Sequence, residues 1–189
     1  MEVIRCFVAT EIPNELKTKI EEYILSLRKI SHDIKWIRAK NLHITLKFLG
    51  EIPQELLLKV QSELSGISNI VKPFKLSIGD VGFFPNQYKP RVIWLGRQND
   101  VNNSLFKIHE WIDENLEPLG FEREKRRFSP HLTLGRIKSP GDYKHLKEYF
   151  NKYKFQTYNF KISDVVLMKS VLKPSGAEYS KLKVYSLKD

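Results

Sequence analysis

Two stretches decide how this chain is read: Asn41-Leu42-His43-Ile44-Thr45-Leu46-Lys47-Phe48-Leu49-Gly50 and Ser129-Pro130-His131-Leu132-Thr133-Leu134-Gly135-Arg136. Each carries histidine, an aliphatic residue, threonine and leucine in that order, and the copies lie close to half a chain length apart. Both sit in apolar runs of strand character. Residues i and i+2 of a strand share a face, so His43 and Thr45 project together while Ile44 and Leu46 turn to the core. His131 and Thr133 repeat the arrangement. One His-x-Thr alone carries little. Two copies, each followed by leucine, read as duplicated half-domains rather than a short-period solenoid. If the two strands lie side by side about a pseudo-twofold axis, two imidazoles and two hydroxyls face one cavity. One imidazole can then serve as general base and the other as general acid, because histidine titrates near neutrality. The hydroxyls can donate hydrogen bonds to phosphate oxygens. Such a pair suits metal-free cleavage of a phosphodiester, a cyclic one above all, where water attacks one side as the ring oxygen leaves on the other.

Outward from the motifs, the chain mixes strands and helices. Strands are expected at Val3 to Ala9, Ile34 to Ile37, Leu42 to Leu49, Phe74 to Val81, Arg91 to Leu95, Phe128 to Ile137, Phe155 to Met168 and Glu178 to Leu187. The first helix runs from Pro13 and Asn14 to about Ile30, with Leu16, Ile20, Tyr23 or Ile24, and Leu27 inward. A second starts at Pro53 and is closed by Gly66, with Leu56, Leu57, Val60 and Leu64 as its stripe. A third spans Val101 to Leu116, with Leu105, Ile108, Trp111 or Ile112, and Leu116 inward. Ser139-Pro140-Gly141-Asp142 is a turn leading into a short helix from His145 to Phe150. The loop with Lys173-Pro174-Ser175-Gly176 joins a closing strand pair. Short connections between strand pairs favour an antiparallel or mixed sheet with helices on it, an α+β fold. No linker separates domains, so residues 1–189 are read as one.

Composition narrows the partners. The chain has 189 residues, 41% of them hydrophobic, enough for a core without disulfide or metal staples. With only 9 glycines and 9 prolines, a collagen-like or low-complexity chain is excluded. Lys and Arg number 32 against 22 Asp and Glu, a formal charge of +10, which favours a polyanion such as nucleic acid or reflects a basic background alone. Cys6 is the single cysteine, which excludes an intrachain disulfide and fits a reducing compartment. It reads as a core filler. Arg5, Glu2 and Glu11 break up any signal-like stretch, and no apolar run reaches the roughly 18 residues of a membrane span. A cytoplasmic protein with no membrane partner is expected. A zinc site is disfavoured, since His32, His109 and His145 are scattered and no carboxylate flanks either motif. Those three histidines are expected at the surface.

With both His-x-Thr-Leu blocks in place, the chain resembles the 2H phosphoesterase superfamily, and within it the RNA 2′,3′-cyclic phosphodiesterases, also called 2′-5′ RNA ligases or the LigT/ThpR family. Arg5-Cys6-Phe7-Val8-Ala9, Arg91-Val92-Ile93-Trp94-Leu95-Gly96 and the run from Ser170 to Leu182 support the likeness. It implies a bilobal, pseudo-twofold fold of antiparallel or mixed sheets with outer helices and a groove between lobes. It implies hydrolysis of an RNA-terminal 2′,3′-cyclic phosphate to a 2′-phosphomonoester, with no metal or nucleotide cofactor, and 2′-5′ joining when a 5′-hydroxyl replaces water. His43 and His131 become the catalytic pair and Thr45 and Thr133 the phosphate-holding hydroxyls. His131 is assigned the base and His43 the acid, with pseudo-symmetry leaving the reverse open. The partners implied are RNA ends bearing the cyclic phosphate, tRNA fragments among them, met by a monomer.

The resemblance also points to Phe48, stacking on a base, and Arg136, pairing with phosphate or base. Each lies five residues after its histidine, where strict alternation would bury it, so a bend or bulge is required. Otherwise Phe48 is a core aromatic. Lys47 shares the His43 face and contacts RNA or stays solvated. Arg126 and Arg127 lie just upstream of the second motif, within a mixed-charge loop. Tyr88 and Lys89 are placed at a groove rim. The competing class is a non-catalytic module that holds RNA ends or nucleotides without turnover.

Overall fold

The structure, a computed structural model, describes residues 2–28, 33–100, 102–139, 143–174 and 176–189. Ile30, His32, Val101, the Pro140-Gly141-Asp142 turn and Ser175 lie outside these residues, as does the side chain of His145. Strands β1 (Val3–Glu11), β2 (Ile34–Trp36), β3 (His43–Pro53), β4 (Phe74–Phe84), β5 (Val92–Asn99), β6 (His131–Ile137), β7 (Tyr158–Ile162), β8 (Asp164–Lys173) and β9 (Gly176–Ser186) alternate with helices α1 (Asn14–Arg28), α2 (Gln54–Glu63), α3 (Ser104–Leu116) and α4 (Lys144–Lys152). Among the described residues every strand pairing is antiparallel, and all nine strands join one sheet. The fold is α+β, and the two sheets expected from the repeat are two halves of a single sheet.

The strand order is β7-β4-β5-β6-β3-β1-β8-β9, with β2 paired to β6. The two motif strands, β6 and β3, stand at its centre and meet at one register pair, Ile44 opposite Leu132. Beyond that pair β2 lies along β6, opposite Gly135 and Arg136. The halves are symmetric in strand order but not in sequence. β4 to β7 build one, whereas β1 and β3 recruit β8 and β9 from much later in the chain.

The expected strand from Phe155 to Met168 is broken at Ser163. The first piece becomes β7 at one edge of the sheet and the second becomes β8, six positions along. In a flat sheet that separation would be on the order of 29 Å at about 4.8 Å per strand. One residue bridges only about 3.6 Å. The sheet must therefore curl until its ends approach, and Leu187 N–H donating to the Ser163 carbonyl at 2.8 Å fixes the corner.

Apolar spacing explains the helices on the convex side. Leu16, Ile20, Ile24 and Leu27 of α1 are buried, so Ile24 rather than Tyr23 faces inward. α3 starts at Ser104, because the Asp100 carboxylate accepts the Ser104 and Leu105 N–H groups at 2.8 and 3.0 Å. Gly66 does not end α2. The chain continues as a 3-10 turn, Leu64–Asn69, and Gly66 lets the Trp111 ring lie where a Cβ would be 3.0 Å from it. The main core joins these helices to the sheet; a smaller cluster of Phe7, Ala9, Val166 and Met168 covers the opposite face of β1 and β8.

The central seam makes a stability prediction. Leu132, fully buried at the β3–β6 contact, should lose roughly 2–5 kcal/mol on Leu132→Ala. The exposed Leu58 should tolerate the same change within about 0.5 kcal/mol. Urea midpoints of the two variants decide the matter.

Candidate active site

Strand alternation brings His43 and Thr45 of β3, and His131 and Thr133 of β6, to the concave face, while Ile44, Leu46, Leu132 and Leu134 are buried beneath. Each strand then breaks its alternation just past its motif, and β3 slips again at Leu49. Ala9 pairs with Thr45 but Val8 pairs with Lys47, leaving Leu46 as an extra residue. Trp94 pairs with Thr133 but Ile93 pairs with Gly135, leaving Leu134 extra. The bulge falls three residues past the histidine in both copies. It buries two successive residues, Leu46-Lys47 and Leu134-Gly135, and returns the next to the groove. Phe48 is thus 71% exposed and Arg136 is exposed, so Phe48 is not a core aromatic.

The same bulge overturns the expectation for Lys47. Its ammonium is buried on the far side of the sheet, paired with Asp113 and donating to the Glu122 carbonyl at 2.9 Å. His109 is likewise not a surface residue: it is buried, stacked 4.1 Å from Phe128. Tyr88 is exposed, and neither it nor Lys89 lines the groove around His43. Arg127 borders a separate hollow with Trp94 and Phe106.

The two histidines are held alike. His43 Nδ1 lies 2.7 Å from the Asn41 carbonyl and His131 Nδ1 lies 2.6 Å from the Ser129 carbonyl. A carbonyl only accepts, so Nδ1 carries hydrogen in both and the neutral rings present bare Nε2 atoms. The Thr45 hydroxyl donates to His43 Nε2 at 3.1 Å. Aromatic rings brace the imidazoles: Phe7 and Tyr179 at 4.8 and 5.2 Å from His43, and Phe84 and Trp94 at 4.9 and 6.1 Å from His131. These four aromatics lie on other strands; Phe7, Trp94 and Tyr179 fall in segments that support the family resemblance, but nothing in the sequence singles the rings out. The anchoring groups are main-chain carbonyls of Asn41, in a 3-10 turn, and Ser129, in a loop, and a carbonyl that any residue supplies leaves no mark in the sequence.

The groove measures about 420 Å³, and Arg5, Lys35, Arg38 and Arg136 line it with His43, Thr45, Phe48 and Thr133. Its charge favours an anion. Desolvation lowers the His43 pKa to about 4, the Asn41 carbonyl opposing and the nearby His131 adding to the effect. Desolvation lowers His131 as well, with Arg136 acting in the same sense. At neutral pH the free protein therefore presents two uncharged imidazoles. Among the described residues, no group of three His, Cys, Asp or Glu side chains could hold a metal ion, and no helix is long and apolar enough to cross a membrane.

Comparison with known proteins matches this geometry. The family described as LigT like Phosphoesterase matches residues 11–94 and again 95–179, one repeat for each motif. A protein of Methanocaldococcus jannaschii named RNA 2′,3′-cyclic phosphodiesterase is 38% identical over 181 residues, 95% of this chain and 99% of that one. One of the same name from Archaeoglobus fulgidus is 34% identical over 96% of this chain and 99% of its own. Among solved structures, TT0787 of Thermus thermophilus superposes with a TM-score of 0.81 at 25% identity, covering 97% of this chain and 98% of its own. E. coli LigT complexed with 3′-AMP gives 0.80 at 23% over the whole of both chains.

The buried neutral histidines set the sign of a pH dependence. The folded His43 value, about 4, lies below the roughly 6.5 of an unfolded chain. Between those values only the unfolded chain takes up the proton. Stability should be level above pH 6.5, fall as pH drops toward 4, and fall less steeply in His43→Asn. Urea midpoints from pH 4 to 7 would show this.

Proposed function

Because the chain belongs to the LigT like phosphoesterase family, shown by the two repeat matches and the full-length relatives, we propose that it hydrolyses the 2′,3′-cyclic phosphate at an RNA end to a 2′-phosphomonoester. The observation that carries the reading is the pair of Nδ1-tethered imidazoles on adjacent central strands, each with a threonine hydroxyl at its side. The groove's own groups supply an acid, a base and anion donors, so the reaction is written without a metal.

His131 takes the base role. Among the described residues no threonine bonds its Nε2, whereas Thr45 holds that of His43, which leaves the His131 nitrogen open to take a proton. It removes the proton from a water attacking phosphorus in line with the departing 3′ oxygen. His43 gives its Nε2 proton to that oxygen. Burial keeps His43 neutral in the empty groove, with a pKa near 4; the phosphodiester anion entering beside it raises that value and protonates the ring. Thr45, Thr133 and Arg136 meet the charge building on the non-bridging oxygens. Phe48, an exposed ring on the groove side, offers its face to the terminal base. Run backwards with an RNA 5′-hydroxyl as nucleophile, the same groups form a 2′-5′ linkage.

The test is turnover in EDTA of a short RNA ending in a 2′,3′-cyclic phosphate. The expected product is the 2′-phosphate, with losses of at least about 10²-fold in both His43→Ala and His131→Ala. Tight binding without turnover would make the chain a holding module instead. Replacing the 3′ bridging oxygen with sulfur, a leaving group that needs no proton, should restore His43→Ala and leave His131→Ala inactive. The opposite pattern would exchange the roles. Both free-protein values are lowered, so the alkaline decline of kcat/KM should set in below about pH 6.5, the ordinary histidine value. The kcat profile should lie at higher pH, since bound phosphate favours the protonated ring.

A further inference from the structure

A buried polar group stands behind the catalytic face, and the reaction as written makes no use of it. His109 of α3 reaches the underside of β3, where its Nδ1 lies 2.9 Å from the Leu46 carbonyl. Leu46 is the extra residue of the first bulge, and a bulge leaves its extra residue unpaired in the ladder. That carbonyl accepts, so His109 Nδ1–H donates to it. The Asp113 carboxylate, one helical turn on, lies 3.6 Å from His109 Nε2 and pairs with Lys47, the residue after the bulge. Burial pushes the Asp113 pKa up, but Lys47 and the Glu124 N–H outweigh it, so the carboxyl is held below its usual range and stays charged.

The group also reaches the second motif. Lys47 donates to the Glu122 carbonyl, Asp113 accepts from Glu124 N–H, and Phe128 stacks on His109. This segment runs directly into Ser129, whose carbonyl tethers His131.

We propose that His109, backed by Asp113 and Lys47, is a positioning residue that locks the β3 bulge and so sets Thr45 and His43 against the segment leading to His131. This role rests on the phosphodiesterase reading. A displacement on the order of 1 Å in such a site can cost about 10²-fold in rate, so a lost bulge lock reads out in kcat before KM.

The test uses two side chains of equal polarity but different reach. Asparagine places its amide nitrogen where His109 has Nδ1, and glutamine places its own where His109 has Nε2. Both lose the stack on Phe128. His109→Asn keeps a donor for Leu46 and should retain kcat on cyclic-phosphate RNA within about threefold. His109→Gln turns its donor toward Asp113 and should lose about tenfold or more in kcat, with KM changed less than threefold. Melting curves would confirm that both variants are folded at the assay temperature. A His109→Gln variant as active as His109→Asn would overturn the positioning role. Failure of both variants to fold would overturn it too, by making the group a requirement of folding rather than of alignment. An unaltered chain with no turnover would sink the phosphodiesterase reading itself, a result seen without any variant.

Discussion

A strand alternates its side chains between two faces, and a site that needs positions i, i+2 and i+5 on one side cannot be built on an unbroken strand. Here each motif strand slips by one residue after its leucine. The slip costs a ladder hydrogen bond and a buried carbonyl, and it moves the fifth residue after each histidine from core to groove. Phe48 and Arg136 owe their exposure to it. So does the buried lysine, because Lys47 is carried inward by the slip that carries Phe48 outward. A lysine in a core is tolerated only with its charge paired and its protons placed. Asp113 and the Glu122 carbonyl do both.

The concave face follows a second economy. Each imidazole is oriented by a main-chain carbonyl two residues before it, not by a carboxylate. That choice fixes the ring and its tautomer without placing a negative charge beside it, so burial is free to depress both pKa values. The concave face thus carries two uncharged imidazoles at neutral pH, beside a groove rimmed by Arg5, Lys35, Arg38 and Arg136.

Much of this was legible in the chain. The repeated His-x-Thr-Leu marked the four side chains that the central strands bring to the concave face, and helical spacing located the first three helices, because periodic burial is a local property. What was hidden was non-local. The break at Ser163 cannot be seen in an apolar run that continues on both sides of it, since only the pairing of β7 with β4 and of β8 with β1 separates them. Lys47 and His109 were misplaced for a related reason. The alternation rule carries Lys47 to the groove, and a lone histidine in an amphipathic helix looks solvated. Their partners lie 66 and 63 residues away. Where a bulge was needed to reconcile Phe48 and Arg136 with the groove, the sequence indicated the need but not the residue that would supply it.

The sharing of strands between the halves has a consequence for how the molecule comes into being. β1 and β3, the latter holding His43, are synthesised well before β8 and β9, which lie outside β1 in the sheet. Until they arrive β1 is an uncovered edge, able to recruit any passing strand. The half around His131 is contiguous from β4 to β7 and can assemble as it emerges from the ribosome. The His43 half, for which Tyr179 of β9 is one wall, closes only by a pairing between distant parts of the chain, a slow class of contact. Cotranslational folding should therefore complete one histidine's surroundings well before the other's, and a ribosome stalled after β7 would hold a half-made sheet with an adhesive rim.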